Sequence, residues 1–158
     1  MLGSSERKQI KSDLVILWVI QGSMVFTLAV YIFLCLYLGE EIRLWPDRGP
    51  PILIRTILYA VSIITFPFIN LLRHIMLRLN QTMPGDTSAT SRYFTTVLVS
   101  LAFAETMGVY GLVLYMLGDN LNTLYIFCFL SVLAMILYGP KLDEYEQVVE
   151  ALKRKSED

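Results

Sequence analysis

Histidine occurs once in this 158-residue chain and cysteine twice. That scarcity removes most catalytic and metal-binding constellations, which need a nucleophile beside a base or several ligands at close spacing. Cys35 and Cys128 stand alone inside apolar runs without a CxxC pattern, so they read as buried thiols rather than a redox or metal centre. His74 follows Arg73 at the end of an apolar run, where contact with a membrane interface is the expected role. No enzyme, metal or cofactor is expected. An excess of one charge is also missing: thirteen Lys and Arg face fourteen Asp and Glu, and the basic residues fall in short clusters. A nucleic-acid surface is therefore not expected.

Charge is nearly absent from four long stretches. Residues 14–38 and 121–139 carry none, 52–72 carry only Arg55, and 93–117 carry only Glu105. Each run, 19 to 25 residues long, suffices to cross a bilayer core of ~30 Å as a helix. With 55% hydrophobic residues and a mean hydropathy of +0.56, the chain reads as an all-α integral membrane protein, a four-helix transmembrane bundle. Little is left for a soluble catalytic domain. The basic preface Arg7, Lys8 and Lys11 resembles the start of a signal peptide, but the apolar core that follows exceeds the ~7 to 15 residues of a secretory segment. It is expected to stay as the first helix.

Ten of the thirteen basic residues fall on one side of this arrangement: Arg7, Lys8 and Lys11, then Arg73, Arg78 and Arg92, then Lys141, Lys153, Arg154 and Lys155. The positive-inside bias puts both termini in the cytoplasm, the cell membrane being the expected location. The plan is a cytoplasmic tail over 1–13, a membrane domain over 14–139 and a charged, amphipathic tail over 140–158. Arg73 to Arg92 is expected as a polar inner loop, and the loop with Trp45 and three prolines as an outer connector. Arg55 is expected to snorkel outward. The C-terminal tail spaces Leu142, Tyr145, Val148, Val149 and Leu152 as a helix lying on lipid or docking a partner.

Glu105 sits twelve residues from either end of its run, near the midplane of a bilayer. An ionisable group at that depth is costly and tends to mark a pathway or relay. No basic residue shares its depth, which favours the protonated carboxyl. Ser100, Ala104, Gly108 and Gly111 form a small-residue stripe beside it that admits a close helix, from this chain or a second copy. On the second helix, Ser62 and Thr65 lie near the same depth and Pro67 interrupts the backbone bonding, so these hydroxyls either satisfy their own helix or reach the carboxyl.

The run Ala104-Glu-Thr-Met-Gly-Val-Tyr-Gly-Leu-Val113 resembles the ion-carrying helix of the rotor-ring proteolipids, subunit c of F-type and vacuolar-type ATPases. The resemblance implies that Glu105 carries a proton or sodium ion, with Thr106 and Tyr110 in the places of the hydroxyl and tyrosine of sodium-carrying members. The second helix departs from that family: it has no glycine, and Phe66-Pro67-Phe68 stand where a glycine-rich strip is usual. Two readings stand. One is an ion-handling protein using Glu105, Thr106, Tyr110 and Thr65 for H+ or Na+, within an oligomer of itself or with other membrane subunits. The other is an assembly component in which Glu105 hydrogen-bonds a neighbouring helix.

Overall fold

The computed structural model describes residues 4–44, 49–82 and 88–157. Trp45, Pro46 and Arg48, and the middle of the expected inner loop, lie outside the described residues. Among the described residues five α-helices follow in order: α1 (Ser4–Leu38), α2 (Ile52–Thr82), α3 (Ala89–Met116), α4 (Leu121–Leu137) and α5 (Leu142–Glu157). Among the described residues there is no strand.

Three of these helices, α1, α2 and α3, are long and apolar enough to cross a membrane. A fourth crossing is counted when α4 and α5, bent by 43° at a short break, are taken as one span. The helices overrun the expected limits because the end of an apolar run is not the end of a helix. α1 begins at Ser4 rather than residue 14, so the N-terminal tail is helical from there. α2 runs past Leu72 through Arg73, Arg78 and Asn80 to Thr82, and α3 already starts at Ala89. The expected loop over 73–92 is thus mostly helix, since Leu, Arg, Met and Gln are good helix formers. α4, in contrast, ends at Leu137 and α5 restarts after Pro140, as Gly139-Pro140 dictates.

α3 is the axis of the bundle, packing on α4, α2 and α1. Its faces are assigned by residue type. Gly108 and Tyr115 meet α1: a side chain at Gly108 would strike Leu28, and Tyr115 Oη donates to the carbonyl of Cys35 at 3.0 Å. Ala104 and Gly111 meet α4, where Ser131 donates to the Ala104 carbonyl at 2.8 Å. Phe103 and Thr96 meet α2 through Phe68 and Asn80. At ~100° per residue, α1, α4 and α2 wrap one side of α3 and leave the other open. On that open side Leu98, Ala102 and Val113 are exposed.

The α3–α4 turn is made by Gly118, whose φ of 98° suits glycine, and by Asn120, whose side chain caps α4 at Thr123. Arg55 does not only reach outward: its Nε lies 3.4 Å from Asp119 beside this turn.

Candidate functional site

Glu105 is half-buried at the rim of the open side of α3, next to α1. Tyr31 of α1 lies within electrostatic range of it. Among the described residues Glu105 has no hydrogen-bond or ion-pair partner, and no charged group acts on it.

The other expected site residues do not gather around it. Thr106 donates to the carbonyl of Phe103 at 2.7 Å, and Thr65 donates to that of Val61 at 2.8 Å, so both hydroxyls serve their own helices. Tyr110, half-buried, lies five residues on and therefore ~140° round α3 from Glu105. Thr106 lies ~100° away. Glu105 and this pair bracket the open face from opposite edges. Ser62 on α2 is buried, with its Oγ unpartnered.

The stripe Ser100, Ala104, Gly108 and Gly111 is buried within the chain. A Cβ at Gly111 would lie 2.7 Å from Phe127 Cβ and 3.3 Å from the Leu124 carbonyl. The absence of side-chain bulk lets α4 approach, as in other small-residue membrane contacts. The stripe is used up inside the monomer. Cys35 and Cys128 are buried free thiols, and His74 is exposed on α2. Among the described residues no cluster of His, Cys, Asp or Glu is arranged to hold a metal.

A second polar centre, which the sequence did not suggest, surrounds the α4–α5 joint. Arg73, 4% exposed, bonds the carbonyls of Tyr138 and Gly139 and reaches Glu144 Oε2 with Nη2 at 2.6 Å and Nε at 3.1 Å. A cation at a helix C-terminus meets the negative end of its dipole as well as orphan carbonyls. Gln21 of α1 adds a bond to the Met135 carbonyl at 3.1 Å. Tyr93 Oη accepts from the Lys141 amide at 2.7 Å, and its ring stacks on Tyr145 at 4.8 Å. Tyr138 donates to the Phe66 carbonyl next to Pro67. The only sequence signal for this centre is the Gly139-Pro140 break and the isolated Gln21.

That centre corrects the expectation for the C-terminal tail. Tyr145 and Val148, 1% and 0% exposed, are buried against the chain's own bundle, neither on lipid nor on a partner. Tyr145 Oη lies 2.8 Å from Asp13 Oδ2 and 2.7 Å from Thr90 Oγ1. The phenol O–H thus has two close acceptors, the Asp13 carboxylate and the Thr90 hydroxyl. Arg7 pairs with Glu146 at 3.5 Å, which puts the described N- and C-terminal segments at the same end of the bundle.

Comparison of the chain with protein-family models, curated proteins and solved structures finds no match.

Proposed function

We propose that the chain is a four-span membrane subunit, with both tails in the cytoplasm, that loads and releases a proton at Glu105 on the outer face of its bundle. The observation that carries this reading is the half-buried carboxyl within α3 with no partner among the described residues. Leaving a charge there is unfavourable, and a proton is the simplest neutralising partner. Half-exposure keeps the group reachable from a neighbouring membrane protein, either a second copy or another subunit. A sodium ion asks for several oxygens to replace its hydration shell. Thr106 and Thr65 spend their hydroxyls on their own helices and Tyr110 lies across the open face, which favours H+ over Na+.

The assembly reading also has an observation in its favour. Among the described residues no hydrogen-bonded chain leads from Glu105 to either end of the bundle, so a second protein has to complete any path. In that reading the carboxyl only hydrogen-bonds a partner helix. Glu105→Gln separates the two, because Gln keeps shape and hydrogen bonding but exchanges no proton. Proton flux across membranes containing the protein is expected to be lost with assembly intact. Unchanged flux leaves the assembly role.

A further inference from the structure

The structure carries a cavity between α1, α3 and α5, and we propose that it binds a primary ammonium group, supplied by an aminophospholipid headgroup of the inner leaflet, the lipid source resting on the four-span reading above. The cavity holds about 190 Å³ and is lined by Gln9, Ile10 and Asp13 of α1, Ala89 and Thr90 of α3, and Tyr145 and Val149 of α5. Water takes roughly 30 Å³ per molecule in the liquid, so the space suits a small organic group better than a bare ion.

Its chemistry selects the charge. Asp13 Oδ2 faces Tyr145 Oη at 2.8 Å and Thr90 Oγ1 at 3.4 Å, while no bond engages Oδ1 and no cation pairs with the carboxylate among the described residues. A half-buried carboxylate of this kind calls for a cation. Gln9 and Thr90 offer further acceptor oxygens in the lining, and a primary ammonium has three N–H groups to place on them. A trimethylammonium has none and is better held by several aromatic faces, of which this cavity has one. Ile10, Ala89 and Val149 give the apolar side against which the carbons of the ligand lie.

Depth identifies the source. Thr90 precedes Glu105 by fifteen residues on the same helix, a distance of ~22 Å along the axis. With Glu105 at the midplane, this lies beyond the ~15 Å half-thickness of the hydrocarbon and within the headgroup layer, since the whole bilayer is ~40 to 45 Å thick. A lipid amine is already concentrated there.

The test is retention of lipid by the full-length protein, purified in detergent, after exposure to equal amounts of phosphatidylethanolamine and phosphatidylcholine, read by native mass spectrometry. The wild type is expected to keep phosphatidylethanolamine about fivefold over phosphatidylcholine, and Asp13→Asn to lose that preference. Ala89→Leu, which fills the cavity without removing a polar group, is expected to lose it too and serves if Asp13→Asn does not fold. Ethanolamine alone is expected to displace the lipid. If no lipid is retained but ethanolamine raises the melting temperature of the wild type and not of Asp13→Asn, the ammonium site stands with a soluble amine as its ligand. Equal retention of both lipids without an ethanolamine effect, or an undiminished preference in both variants, overturns the proposal.

Discussion

Arg73 of α2 and Glu144 of α5, seventy-one positions apart, are joined by a two-nitrogen contact to one carboxylate oxygen, at 2.6 and 3.1 Å. The same guanidinium closes over the last carbonyls of α4. One side chain thereby fixes the bend between α4 and α5 and holds α5 against the bundle.

Arg73→Met keeps much of the stem but leaves two carbonyls without their cation and Glu144 with only Lys141, 3.9 Å away. Breaking a buried pair by removing one partner typically costs about 3 to 5 kcal/mol. Thermal unfolding in detergent is expected to shift down accordingly, with α5 becoming open to proteolysis before the rest. The double variant Arg73→Met with Glu144→Gln is expected to regain part of the loss, since the stranded charge is gone.

The two buried glycines of α3 are expected to differ. At Gly111 a Cβ meets Phe127 Cβ at 2.7 Å and Leu124 backbone atoms at 3.3 and 3.4 Å, so α4 itself has to move. At Gly108 the closest atom is the end of the Leu28 side chain, which turns aside more readily. Gly111→Ala is expected to destabilise by about 1 to 3 kcal/mol, in the range of core overpacking, and Gly108→Ala by less. Unfolding midpoints of the two variants check the order.

Tyr145 gives the tail helix a pH dependence. Burial, with the Asp13 carboxylate adding to it, pushes its phenol up to about 12 from the usual 10. The proton is therefore held more tightly in the folded chain than in the unfolded one. Its contribution to stability is complete below pH 10 and is lost as the pH rises from 10 to 12. A difference titration of phenolate absorbance between wild type and Tyr145→Phe is expected to show that late ionisation, and the attachment of α5 is expected to weaken over the same window.

How much of this was legible in the sequence depends on how local the signal is. Hydropathy and spacing are local, so the apolar runs, the place of Glu105 within α3 and the stripe through Gly108 and Gly111 could be read directly. The helix ends were not, because Arg73 to Thr82 interrupts the apolar run with Arg73, Arg78 and Asn80, yet nothing in it stops a helix. The amphipathic pattern through Tyr145 and Val148 looks the same whether lipid or protein covers it. Arg73 was legible only as a basic residue, since its burial depends on Glu144 in another helix. Thr106, Tyr110 and Thr65 were grouped by their positions near Glu105, whereas helical rotation and back-bonding to Phe103 and Val61 separate them.

The central claim, an exchangeable proton on an accessible mid-span carboxyl, is tested most directly by the rate at which a hydrophobic carbodiimide modifies Glu105 in membranes, measured against pH and added sodium. Such reagents require a protonated carboxyl in an apolar setting. The expected result is modification at Glu105 that slows as the pH rises, is absent in Glu105→Gln and is unaffected by sodium. Protection by sodium would replace the proton with a metal ion as the bound species, and no modification at any pH would contradict the claim, leaving Glu105 sealed against a structural partner.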